Sequence, residues 1–240
     1  MKIVRAGGIA AAVGLLMMAG LPFKAREQER RNVTALAASL GGEEGWPGEA
    51  WLARYSRHLN PCVAQADVEH PIRTRVGDYD CVSFRTYHVS ADTSFGALFA
   101  SADRYTGSAV SGIDAAVPPM EVLSAAGDWR TPADSAELTK MGYTRITSGD
   151  LDFDQQYSVY VQKPGPAARL LTAEVKESLL SMRGMTPRLR LFDSLLVCWV
   201  HGHDVRAEPS HRGLMKGLAK FAEALEAAVR HDSRRRHAPS

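Results

Sequence analysis

The sequence predicts an α+β fold: a mostly antiparallel sheet or sheets with helices packed on it, preceded by one N-terminal transmembrane helix. Three observations lead there. Residues 71–89 read as two alternating runs, PIRTRV and YDCVSFRTYHV, joined by Gly77-Asp78, a two-residue hairpin signal. Leu214, Leu218, Phe221, Leu225 and Ala228 recur at helical spacing near the C-terminus. Ala6 to Phe23 (AGGIAAAVGLLMMAGLPF) carries no charge.

That N-terminal run would span roughly 27 Å as a helix, close to the ~30 Å hydrocarbon thickness of a bilayer. Lys2 and Arg5 precede it, and Lys24, Arg26, Arg30 and Arg31 follow it. The basic excess on the C-terminal side predicts a single-pass anchor with the globular domain cytoplasmic. Two alternatives stay open. A cleaved signal peptide would give a secreted soluble protein, although Phe23-Lys24-Ala25 is a poor cleavage site, and an ordinary buried helix would give neither. These features divide the chain into an anchor with its basic flank (1–31), a helical connector (32–70), an α+β domain (71–230) and a basic disordered tail (231–240).

In the connector, Val33, Leu36, Ala37 and Leu40 share one helical stripe that stops at Gly41-Gly42. A second helix is expected from Pro47 to Leu59, with Trp51, Leu52, Tyr55 and Leu59 on its inner face, ended by Asn60-Pro61. The strand after Gly77-Asp78 is apolar on both parities, which predicts a position inside a sheet. Residues 93–106 read as a loop or short helix, with Phe95, Leu98 and Phe99 tethering it. Strands are expected over 109–117 and 120–124, with Pro118-Pro119 suiting a sheet edge or corner. Residues 125–140 read as a surface connection.

The stretch 151–200 opens on an expected acidic strand, LDFDQQYSVYVQ. Asp150, Asp152 and Asp154 alternate, but a calcium loop is excluded: Gln155 holds the glycine position and Val161 the position of the bidentate glutamate. The aspartates therefore read as the solvated face of a strand. Thr172 is placed to cap a helix carrying Val175, Leu179 and Met182, stopped at Gly184 with Pro187 beyond. RLRLFDSLLVCWV predicts a hairpin turning at Asp193-Ser194, and Leu195–Val200 reads as a buried strand. The last helix is expected from about Ser210, with Glu226 and Arg230 paired on its outer face. Gly213 and Gly217 weaken its first turns but leave room for close packing.

Composition narrows the function classes. Of 240 residues, 45% are hydrophobic, enough for a sizeable core. The net charge of +2 is concentrated at the two ends, which argues against a folded nucleic-acid-binding surface. Cys62, Cys81 and Cys198 are too few and too scattered for a disulfide framework and read as free buried thiols, with a single bridge as the open alternative. The sharpest chemical cluster is His201, His203 and Asp204, beside Cys198 and His211. A His-x-His pair on an extended segment puts both imidazoles on one side, a spacing that zinc sites use. Cys198 lies on the other parity. Phosphate-loop, nucleophile-elbow and zincin motifs are absent from the sequence, and no cofactor is implied.

The order of features resembles a family of uncharacterised actinobacterial proteins that carry one N-terminal transmembrane segment and a domain of unknown function. The matching pieces are LAASLG (36–41), GDYDCVSFRTY (77–87), VPPMEV (117–122) and FDQQYSVYVQKPGPAARLLTAEVKESLL (153–180). The resemblance implies a cytoplasmic domain behind the anchor; the basic run here, interrupted by Glu27 and Glu29, departs from the family pattern. It carries over no functional residues. The sequence thus predicts a membrane-anchored, non-catalytic binding or interaction module, with the bilayer through Ala6–Phe23 and an unidentified protein as partners and no nucleic acid. The rival is a metal-dependent enzyme built on His201 and His203.

Overall fold

In the computed structural model, which describes residues 27–59, 68–90, 101–126, 132–201 and 208–236, the described strands form one nine-stranded sheet in which every pairing is antiparallel. Helix α1 covers 27–39, β1 is Glu43–Glu44 and α2 is Glu49–Tyr55, continued by one tighter turn, Ser56–His58. Next come β2 (Val68–Val76), β3 (Tyr79–Ser90), β4 (Ser101–Ser111), β5 (Met120–Ser124), α3 (Pro132–Lys140) and β6 (Thr144–Ile146). They are followed by α4 (Leu151–Gln156), β7 (Tyr157–Val161), the short turn α5 (Pro164–Ala167), α6 (Ala173–Leu180), β8 (Arg188–Phe192), β9 (Leu195–His201) and α7 (Glu208–Arg236). The strand order is β1-β2-β3-β4-β9-β8-β5-β7-β6.

Turn chemistry sets the two tight hairpins. Gly77 adopts φ 60° between β2 and β3. Between β8 and β9 both turn residues are left-handed, Asp193 at φ 46° and Ser194 at φ 65°, the geometry that matches strand twist. Neither is glycine, and the cost is offset locally. Arg54 donates twice to the Asp193 carboxylate at 2.9 Å, and the Tyr55 hydroxyl donates to the Asp193 carbonyl at 3.2 Å. The edges are blunted: β1 has two residues, β6 has three, and β2 carries Pro71 beside a bulge between Glu69 and Ile72.

Strand alternation divides the core between two faces. On the first, Ile72, Cys81, Val110, Val122, Val159, Leu191 and Cys198 meet Val33, Leu36, Ala37 and Leu40 of α1, Val175 and Leu179 of α6, and the apolar stripe of α7. On the second, Val82, Phe84, Leu123, Val197 and Trp199 are covered by Tyr55, Leu59, Leu138 and Tyr143. β3 and β9 each lie between two partners, as their two-sided apolar pattern requires. Phe84 faces Gly107 across β3 and β4, and its ring crosses the glycine so closely that a Cβ there would sit 2.2 Å from the ring edge.

Several local expectations differ from the structure. Residues 151–156 form a helix, not a strand: Asp150 caps it by accepting from the Phe153 amide at 3.2 Å, and Asp154 accepts from the Ser148 amide at 3.0 Å. The spacing of Asp150 and Asp154 was one helical turn, with Phe153 pointing into the core between them. Pro132–Lys140 is a helix, because Leu138 anchors an otherwise polar segment to the second face. β4 begins at Ser101 and ends at Ser111, ahead of its expected start and end; Gly112 turns the chain at φ 90°. Pro118-Pro119 precedes an inner strand, β5, and not an edge. Helix α7 continues through the basic segment to Arg236. The expected domain boundary at 71 falls inside β2. No helix among the described residues is long and apolar enough to cross a membrane, and residues 6–23, Cys62 and the tethers at 95, 98 and 99 lie outside them.

Candidate functional site

His201 ends β9, exposed, with its ring 5.2 Å from that of Tyr105. His203 and Asp204 lie outside the described residues. Cys198 is fully buried against the first face, where burial pushes its thiol up. Strand parity puts His201 on the second face, while His211 on α7 packs over the first. The sheet therefore separates His201 from both Cys198 and His211. Among the described residues no three His, Cys, Asp or Glu side chains come together as a metal site.

What the structure does bring together is a set of polar side chains inside the core. Register places Glu121 of β5 opposite Arg190 of β8, with Arg188 two residues along on the same face. Glu121 is 1% exposed and accepts from Arg188 Nε at 3.2 Å and from Arg190 Nε. The Arg190 guanidinium also stacks 5.4 Å above the Trp199 ring. Beside them, burial pushes the Tyr143 hydroxyl up, with the Glu121 charge adding to the effect and Arg190 opposing it. A carboxylate held between two guanidiniums and shielded from water is a cross-strand clamp, not a general base. Its signal in the sequence was a charged residue at an inward position of each of two apolar strands, MEVLS and RLRLF.

A second interior pair joins β3 to α7: Ser83 Oγ and His211 Nδ1 are 2.9 Å apart. Residue types alone would suit nucleophilic catalysis. Ser83 is 1% exposed and His211 3%, so a substrate has no approach to either. Cys81, on the same face, has its thiol pushed up to about 12, chiefly by burial. Both described cysteines are thus protonated thiols rather than nucleophiles at neutral pH.

A third cluster ties α1 to the sheet. Arg85 donates to Glu29 on α1 and, at 3.0 Å, to Glu69 on β2. His70 lies 3.7 Å from both carboxylates and takes φ 52° at the bulge.

Two surface grooves flank the C-terminal half of α7. One, of about 620 Å³, lies between Lys216, Lys220 and Glu223 of the helix and Asp78 of the β2–β3 turn with Asp80 of β3. Its end is closed by Glu226, which accepts from the Tyr79 hydroxyl at 3.0 Å and the Asp114 amide at 2.9 Å. Glu226 was expected on the outer face of α7 with Arg230; the pair forms at 3.7 Å, but the carboxylate is turned inward. The other groove, of about 340 Å³, is lined by Val117, Pro118, Pro119, Leu170 and Val229 together with Lys163, Asp232 and Ser233.

No family model matches the chain, and no curated protein matches it. Among solved structures it is similar to the crystal structure of the mycobacterial trehalose monomycolate transport factor A, TtfA, with a TM-score of 0.53. The match covers 81% of this chain and 93% of that one at 12% sequence identity, and at that identity the likeness is one of fold.

Proposed function

We propose that this chain is a membrane-anchored, non-catalytic interaction module that assists a transport process at the membrane. The observation that carries the reading is the fold shared with a transport factor over four-fifths of the chain. Two further features support it. Among the described residues, the buried Glu121 clamp, the Ser83–His211 pair and the Cys81 thiol are engaged within the core. The uncharged run Ala6–Phe23 ends only a few residues before α1, a helix that packs into the core. On this reading the run anchors the chain in the cell membrane, as in the actinobacterial family it resembles, and the domain lies on the cytoplasmic side.

The test uses the full chain in its native membrane. A reporter fused after Ser240 is expected to be active on the cytoplasmic side, and chemical crosslinking followed by detergent extraction is expected to recover the chain in a defined complex with an integral membrane transporter. Recovery of a mature chain beginning near Arg26 from the medium would overturn the anchor. Stoichiometric zinc in the purified protein, lost in His201→Ala, would instead overturn this reading in favour of the metal-dependent alternative.

A further inference from the structure

β2 breaks its regular pairing at one place. The register with β3 slips between Glu69 and Ile72, and within the slip His70 takes φ 52° just before Pro71. Left-handed backbone is costly for a residue with a Cβ and persists where the surrounding contacts fix it, and a bulge re-aims the side chains it carries. Glu69 and His70 are neighbours that a regular strand would turn to opposite faces. Here they converge on one place. His70 Nε2 lies 3.7 Å from Glu29 Oε1 of α1 and 3.7 Å from Glu69 Oε2.

Arg85 Nη2 donates to the same two oxygens. One carboxylate oxygen from α1 and one from β2 are therefore gripped by a guanidinium of β3 and faced by an imidazole. The guanidinium stays charged throughout the physiological range, whereas histidine changes its charge between about pH 5 and 8. Among the described residues, the charged groups facing His70 are Glu29, Glu69 and Arg85. The two carboxylates attract an imidazolium; Arg85, already matched by the same oxygens, opposes it. The balance is attractive.

We propose that Glu29, Glu69, Arg85 and His70 form a pH-sensitive latch that fastens the N-terminal part of α1 to the sheet. Protonated His70 completes the grip on the two carboxylates, and neutral His70 leaves that grip to Arg85. The latch therefore tightens as pH falls from about 8 to about 5.5 and loosens as it rises again; below about pH 4.5 the carboxylates themselves are neutralised and the grip is lost. Because α1 follows the uncharged run Ala6–Phe23 with only a few residues between, the latch sets how firmly the domain holds the segment next to that run. It stands independently of the transport reading.

The test is hydrogen–deuterium exchange of the full chain in phosphatidylcholine nanodiscs at pH 5.5 and pH 8.0, with rates corrected for the intrinsic pH dependence of amide exchange. Protection of amides 29–36 is expected to be about threefold higher at pH 5.5, the scale of a partly solvated ion pair, with α6 as an unchanged internal reference. His70→Gly, which accepts a positive φ without strain, is expected to keep the fold and abolish the difference. Glu29→Gln removes one of the two carboxylates without touching the bulge and is expected to reduce the difference by at least half. Equal protection of wild-type α1 at both pH values, or a difference that survives His70→Gly, overturns the latch. A difference that survives His70→Gly and disappears in His211→Gln assigns the pH dependence to the Ser83–His211 pair instead.

Discussion

Glu121 is a buried charge whose removal the fold tolerates poorly. With 1% of its surface exposed, its charge is balanced by hydrogen bonds from Arg188 and Arg190, which are themselves largely buried. Removing one partner of such a cluster leaves the others uncompensated in a poorly solvating interior, typically at a cost of about 3–5 kcal/mol. Glu121→Gln is expected to lower unfolding free energy by that amount in urea denaturation. A loss under about 1 kcal/mol, the scale of a solvated pair, would refute the clamp. The Cys81 thiol makes a separate prediction. Burial pushes it up to about 12, above the ordinary thiol range, so the folded state favours the protonated form. Its contribution is complete below about pH 9 and is lost as pH rises toward 12. Cys81→Ala is expected to flatten the decline of stability over that window, and wild-type Cys81 and Cys198 are expected to resist iodoacetamide at pH 8 until the chain is unfolded. Rapid alkylation of either in the folded protein would contradict their burial.

At the scale of elements, α7 shows how a sequence feature acquires a meaning only through packing. Gly213 and Gly217 look alike in the sequence, each costing up to about 1 kcal/mol of helix propensity relative to alanine. A Cβ at Gly213 would meet only the terminal methyl of Met185, at 3.2 Å, whereas one at Gly217 would sit 2.7 Å from both Cγ and Sδ of buried Met182. A methionine terminus moves easily; the middle of a packed side chain does not. Gly213→Ala is therefore expected to raise stability by up to about 1 kcal/mol and Gly217→Ala to lower it by about 1–2 kcal/mol, measured by thermal unfolding. The reverse order would show that propensity outweighs the α6–α7 contact. The same distinction explains what was legible beforehand. Hairpins announced by Gly77-Asp78 and Asp193-Ser194, the Thr172 cap and the α7 stripe each rest on local chemistry, and each was readable. Residues 151–156 were misread because three alternating aspartates suit a strand face and a capped helical turn equally well, and only the burial of Phe153 decides between them. The Glu121 clamp needed strand register, which brings residues 121 and 190 together from distant parts of the chain. His203 and Asp204 fall outside the described residues, so the histidine cluster is represented only by His201.

For the molecule as a whole, the consequential element is α1. Read in the sequence as part of a connector, it packs Val33, Leu36, Ala37 and Leu40 into the first face of the sheet beside Ile72 and Cys81. Glu29 joins its first described turn to Arg85, and the carbonyl of Leu40 accepts from Thr74 at its far end. A segment held at both ends and along its length cannot act as a flexible tether. α1 is therefore part of the folded domain and not a linker leading to it. Buried apolar side chains contribute roughly 1.5–3 kcal/mol each, and losing Val33, Leu36 and Leu40 together is comparable with the ~5–15 kcal/mol that stabilises a whole domain. A chain beginning at residue 27 is therefore expected to be monodisperse in size-exclusion chromatography and to unfold in one transition. A chain beginning at residue 42 is expected to aggregate, because the uncovered face around Ile72 and Cys81 is apolar. If the shorter chain remains monodisperse with an unchanged denaturation midpoint, α1 is a tether after all and its packing contributes nothing to the fold.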